Sequence, residues 1–191
     1  MTAILKPPLS VEQYLQFELT AERRHEYVDG ILYQMPGESK NANSIANNFV
    51  MFAGPTLLRS KLKTYTNDVK VRTDETKFRY PDIMVAPYDK DGHTHVEEHP
   101  VLLGEVLSGG SVRTDTLVKL EEYSKIDGLL YYLVIEQDRP FVLVHRITNR
   151  GTETTSVKGT NGVLVLPELK LQLTLSDLYL MIPFEDSEKT T

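Results

Sequence analysis

Apolar and polar positions along the chain change period several times, and the changes mark out its elements. Pro7 and Pro8 precede Ser10, with Gln13 three residues on, and Val11, Tyr14, Leu15 and Leu19 follow at helical spacing. This predicts a helix capped by Ser10 and ending near Arg23. Tyr27-Val28 and Ile31-Leu32-Tyr33 flank Asp29-Gly30, a pair that signals a tight hairpin. Ile45, Phe49, Phe52 and Leu57 form one stripe across Ser39–Lys61, a second helix that Gly54-Pro55 is expected to kink or split. The period then shortens. Tyr65–Arg72, Arg79–Ala86, Val101–Ser108, Leu130–Glu136 and Phe141–Ile147 read as strands, with a helix over Ser111–Ile126 and a polar loop over Asp89–His99. After Gly151 come a weaker strand, a turn at Gly159–Gly162, a short helix capped by Ser176 and a frayed tail, Glu185–Thr191. The order predicts an α/β chain: a mixed α+β sheet flanked by helices, one domain over residues 1–184. The Val101 strand, its helix and the Leu130 strand form a right-handed crossover.

Composition narrows the function classes. The 191 residues are 40% hydrophobic and 25% charged, as in ordinary soluble globular chains, and a chain of this length folds without a disulfide or a structural metal. Apolar runs are shorter than about ten residues, too short to span a bilayer, and no basic segment precedes an apolar one. No membrane partner and no secretory leader are expected, and the location is read as cytoplasmic. With no cysteine there is no thiolate nucleophile and no Cys-type zinc site. A net charge of −6 argues against a surface shaped throughout for nucleic acid, while a local basic groove stays open. Lys61, Lys63, Lys70, Lys77, Arg72 and Arg79 make the middle of the chain locally basic, either a solvated edge or a phosphate-contacting rim.

Two acids stand in apolar strands. Glu105 lies inside Val101–Ser108 and Asp82 opens Ile83–Ala86 after Pro81. An unpaired buried carboxylate is costly or changes its pKa, so each needs a partner. Either each caps a loop or pairs with Lys or Arg, or the two together form a hard oxygen pair suited to Mg²⁺ or Mn²⁺. Glu105 stands about 10 Å before its strand ends, and Lys119 about 12 Å into the returning helix, so Lys119 can come level with Glu105. The alternative for Lys119 is a surface pair with Asp115.

Taken in order, Arg24-His25-Glu26-Tyr27-Val28-Asp29-Gly30, Val69-Lys70-Val71-Arg72, Tyr80-Pro81-Asp82-Ile83-Met84-Val85 and Gly104-Glu105-Val106-Leu107-Ser108, with Asp115, Lys119 and Tyr123 downstream, resemble the Uma2 family. These abundant, mostly cyanobacterial proteins are described both as a domain of unknown function and as restriction endonucleases. The resemblance runs from about Leu9 to Leu180. It implies the restriction-endonuclease-like fold of the PD-(D/E)XK superfamily and Mg²⁺-dependent cleavage of DNA, with Asp82 and Glu105 as metal ligands and the Val106 carbonyl as a third. Glu26 resembles the acid that the superfamily's first helix often contributes, which orients a metal-bound water. The superfamily's lysine belongs two residues after Glu105, where this chain has Leu107; Lys119 would replace it from the helix. Relatives often carry a histidine within Asn41–Ile45, where this chain has Ala42. The rival reading is a nuclease-fold protein that no longer cuts and serves as a nucleic-acid-binding or protein-interaction module. A homodimer is expected by analogy with small restriction-like folds.

Other motifs carry less. His93, His95 and His99 could ligate zinc but sit in a polar loop without a second ligand pair. Ser108-Gly109-Gly110 matches neither a nucleophile elbow nor a P-loop and reads as a strand-to-helix turn.

Overall fold

The computed structural model describes residues 2–4, 8–107 and 113–184 of the chain. It opens with a short strand β1 (Thr2–Ile4) and helix α1 (Val11–Thr20). The Ser10 hydroxyl accepts from the Gln13 N–H at 3.2 Å, and the Gln13 side chain accepts from the Ser10 N–H at 2.8 Å, a reciprocal cap. Strands β2 (His25–Val28) and β3 (Ile31–Gln34) form the expected hairpin. Asp29 and Gly30 both take positive φ, 50° and 91°, the primed turn whose twist matches the strands. At Gly30 a Cβ would also stand 2.8 Å from that of Pro8.

Helix α2 (Lys40–Arg59) runs unbroken through Pro55, where a kink or split was expected. Its apolar stripe explains the continuity. Ile45, Phe49, Ala53 and Leu57 are all fully buried, so the same packing grips the helix on both sides of the proline.

Two segments that read as single strands are each divided between two sheets. Tyr65–Arg72 separates into β4 (Leu62–Thr66) and β5 (Lys70–Asp74), hinged at Asn67 with φ 55°. Arg79–Ala86 separates into β6 (Lys77–Arg79) and β7 (Ile83–Pro87), divided at Pro81, which has no N–H for a ladder. Apolar residues continue through both crossings, so periodicity alone does not mark them. Beyond β7, the two-residue β8 (Val96–Glu97) interrupts the expected loop, followed by β9 (Leu102–Leu107), α3 (Arg113–Tyr123), β10 (Tyr131–Glu136), β11 (Phe141–Thr148) and β12 (Gly151–Lys158). The chain closes with an unforeseen hairpin, β13 (Val163–Leu166) and β14 (Leu171–Thr174), and α4 (Leu175–Leu178). Thr174, not Ser176, caps α4, because its hydroxyl accepts the Asp177 N–H at 3.1 Å. The Ser108–Gly110 turn, the expected helix start at Ser111 and the tail after Phe184 lie outside the described residues.

The architecture is mixed α+β. An N-terminal sheet has the order β1-β3-β2-β6-β5-β8, and a central sheet the order β12-β11-β10-β9-β7-β4. Within the central sheet β9 and β10 are parallel, as the crossover requires, and β7 is antiparallel to β9. Successive residues of the central strands serve different cores. Ile83, Val85 and Leu102 pack with α2 and the closing hairpin, while Met84 and Leu103 pack with Tyr123 and Ile126 on the α3 side. Covering by helices on both faces explains why these strands read as nearly continuous apolar runs.

Candidate active site

The carboxylates of the sequence analysis meet where the two sheets adjoin. Asp82 stands in the crossing between β6 and β7, and its Oδ2 accepts the backbone N–H of Val106 at 2.6 Å, which ties it to the residue after Glu105. Glu105, on β9, is 5% exposed. Its Oε1 accepts the Tyr123 hydroxyl at 2.9 Å and faces the Lys119 Nζ at 3.0 Å. Lys119 thus returns from α3 to the level of Glu105, as helix and strand geometry predicted. Leu107, two residues past Glu105, lines the same cleft as Lys119. Any pairing of Lys119 with the Asp115 side chain lies outside the described residues.

Glu26 joins the same group from an element other than the first helix that often supplies the superfamily acid it resembles. It lies on strand β2 rather than on a first helix, because α1 ends at Thr20. Its carboxylate sits 3.5 Å from Lys119 Nζ and accepts from Arg79 Nη1 at 2.8 Å. Arg79 then donates to both oxygens of Glu122, from Nε at 3.0 Å and Nη2 at 2.8 Å, and the Thr73 hydroxyl also donates to Glu122. The result is a buried chain of alternating charge, Glu105–Lys119–Glu26–Arg79–Glu122, spanning both sheets and α3. Burial works against the Arg79 cation, but Glu122 and Glu26 outweigh it and raise its pKa. Sequence reasoning missed Glu122 and read Arg79 as part of a solvated edge or a phosphate-contacting rim, whereas it is buried. The available signal was spacing, since Lys119, Glu122 and Tyr123 fall at i, i+3 and i+4 on one helix face.

The expected basic rim is not a single surface. Arg79 and Lys70 are buried, Arg72 pairs with Glu98, Lys77 with Asp29 and Asp74, and Lys63 lies over the Tyr88 ring at 4.3 Å. His93, His95 and His99 are exposed. Ala42, at the first turn of α2, presents a methyl group to the cleft.

The cleft encloses about 370 Å³ and is lined by Glu26, Glu38, Tyr80, Asp82, Glu105 and Lys119, among others. Glu38, in the loop before α2, is an acid that sequence reasoning did not single out. Among the described residues no three His, Cys, Asp or Glu side chains form a ready-made metal cage. The donor set present is two carboxylates, Asp82 and Glu105, beside the Val106 backbone. This suits a small hard cation that keeps much of its own water. Without such a cation the acids repel: burial and then the Glu105 charge push the Asp82 pKa up to about 8, with Glu38 adding and the Val106 N–H opposing. Burial likewise raises Glu105, against the pull of Lys119.

A pH signature follows. A carboxyl whose folded pKa exceeds its unfolded value keeps a proton that the unfolded chain has released, so stability falls as pH rises between about 4 and 8. In metal-free protein the wild type should lose stability relative to Asp82→Asn across that window, by up to roughly 5 kcal/mol at 1.4 kcal/mol per pH unit. Urea unfolding at pH 5 and pH 8 measures this, and equal slopes for the two proteins would contradict it.

Comparison with known proteins places the chain. The family model Uma2, described as "Putative restriction endonuclease", matches residues 11–176. Two Synechocystis sp. proteins are similar. The uncharacterized protein slr1290 is 32% identical over 132 residues, 68% of this chain and 69% of that one. The uncharacterized protein sll1609 is 28% identical over 133 residues, 68% of this chain and 75% of that one. A crystal structure from Anabaena variabilis, of "a putative nuclease belonging to DUF820", superposes with a TM-score of 0.73 at 20% identity. The match covers 90% of this chain and 98% of that one. At that identity the likeness establishes the shared fold.

Proposed function

The chain belongs to the Uma2 family, and on that premise we propose that it is a metal-dependent phosphodiesterase, an endonuclease acting on DNA. The observation that carries this reading is the approach of Lys119 Nζ to 3.0 Å from Glu105, beside Asp82 on the Val106 N–H. Two acids can hold a cation, and the amine, which comes from α3, can offset charge on a phosphate. Asp82, Glu105 and the Val106 carbonyl would hold Mg²⁺ or Mn²⁺. Bound there, the ion would supply Lewis acidity toward the scissile phosphate and make a water more acidic.

The remaining roles fall to this chain's own groups. Tyr123 and Lys119 both engage Oε1 of Glu105, which restrains the carboxylate at the cleft. Lys119, held between Glu105 and Glu26, offers a fixed positive charge against the negative charge that develops on the phosphate. Glu26 aims Lys119 and is itself aimed by Arg79, so orientation is set before substrate arrives.

The direct test is cleavage of supercoiled plasmid in Mg²⁺ or Mn²⁺. Wild type should nick it, chelation should stop the reaction, and Asp82→Ala should be inert. Equal nicking by Asp82→Ala would eliminate the proposal. A wild type that neither nicks nor binds Mn²⁺ through Glu105 would favour the rival, a nuclease-fold binding module.

A further inference from the structure

A second cavity adjoins the cleft. It encloses about 500 Å³, and Met35, Pro36, Gly37 and Glu38 line both spaces, so one short loop is their common wall. The far side of the second cavity is formed by Arg23, Arg24, Asn67 and Asp68. Asn67 sits at the positive-φ hinge between β4 and β5, which brings that turn toward the end of α1.

The positive charge on this side is only lightly committed. Asp68 engages Arg24 through Nε alone, at 3.1 Å, and its own side chain is 76% exposed. Exposed pairs of this kind contribute little, so Asp68 does not hold the guanidinium against a stronger anion. The two terminal nitrogens of Arg24 have no bond to described residues, leaving the forked edge that suits a phosphate. Arg23 beside it is exposed and makes no ion pair among the described residues. Lys70, three residues past Asn67, is 4% exposed and also lacks an ion pair among them. Its ammonium lies 5.4 Å from the centre of the Tyr80 ring, and Tyr80 lines the cleft. Burial draws its pKa down, while the charge of Glu18 partly restores it. Glu18 is already bonded by the His25 N–H, the His25 ring and the Tyr80 hydroxyl. The Tyr80 ring is thus the contact of this buried ammonium, whose charge also acts on Arg24.

We propose that this second cavity seats the DNA backbone phosphate next to the scissile one, gripped by the outer edge of Arg24 and by Arg23. The inference rests on the endonuclease reading and adds a path for the strand: out of the cleft, past the loop at residues 35–38, and onto the arginine side. Glu38 on the shared wall repels phosphate and directs the anionic groups to either side of it.

The test is fluorescence anisotropy of a 20-base-pair DNA duplex with Ca²⁺ in place of Mg²⁺, over a range of NaCl concentrations. One lost phosphate contact lowers the slope of log affinity against log salt by about 0.9, close to tenfold in Kd near 0.1 M salt. Arg23→Ala with Arg24→Ala should show both changes, and Arg23→Glu, at an exposed position that folding does not use, should weaken binding further. Lys63→Ala, which removes the same charge near Tyr88 outside this cavity, should bind as wild type does. If the wild type binds and the arginine variants match it in Kd and slope, the subsite is wrong while the endonuclease reading stands. If Lys63→Ala loses as much as they do, the effect is general charge and the subsite is equally wrong. If the wild type fails to bind the duplex, the endonuclease reading falls and the subsite with it.

Discussion

Glu105→Gln should abolish metal-dependent cleavage while leaving the protein folded. The amide matches the carboxylate in size and can still accept from Tyr123 and Lys119, so packing around β9 is retained. What it removes is the negative charge that would hold the cation. Stabilisation of the transition state by a metal is worth several kcal/mol, and at about 1.4 kcal/mol per decade its loss should lower single-turnover cleavage roughly a thousandfold or more. Calorimetry with Mn²⁺ should show weakened binding in the same variant. Metal-free stability should hold or rise, because Glu105 raises the pKa of Asp82 and is itself raised by burial and by Glu26. Cleavage within tenfold of wild type would remove Glu105 from the proposed centre.

Arg79→Met carries the largest expected cost in stability. Arg79 is 6% exposed and neutralises two acids at once, Glu26 on one side and Glu122 on the other. Methionine fills most of the volume but leaves both carboxylates buried beside each other. Breaking a buried pair from one side typically costs 3–5 kcal/mol. For a domain of this size that is a fall of about 10 °C in melting temperature. Adding Glu122→Gln should recover part of the loss, since it removes one of the two stranded charges. A loss below about 1 kcal/mol for Arg79→Met would mean that water enters the network and the chain of charges is not a buried one.

How far the sequence disclosed this arrangement depends on the kind of signal each residue sends. Asp82 and Glu105 were legible because a carboxylate inside an apolar run is chemically out of place. Lys119 was legible because strand rise and helix rise can be compared along a crossover. The order of motifs brought in Glu26, which lies past the end of α1, on β2. Arg79, Glu122 and Glu38 were not legible as a set. Their partners lie 29 to 53 positions away in the chain, and their neighbours are the ordinary polar residues of strands and helices. The same locality hid the division of Tyr65–Arg72 and Arg79–Ala86, since a strand that changes sheets keeps its apolar pattern. The closing hairpin was also missed, although Leu164, Leu166, Leu171 and Leu173 alternate with polar or exposed neighbours and are all buried.

The crossing at Tyr80–Pro81–Asp82 has a consequence for inactivation. Glu26 and Arg79 belong to one hydrogen-bonded layer, Glu105 to the other, and Asp82 to the span between them. The proposed centre is therefore a seam rather than a pocket carved in one slab. If the outer layer lifts, the acids come apart while the larger hydrophobic interior stays intact. Competence would then depend on how firmly two slabs adhere, and a molecule could lose its edge long before it loses its shape.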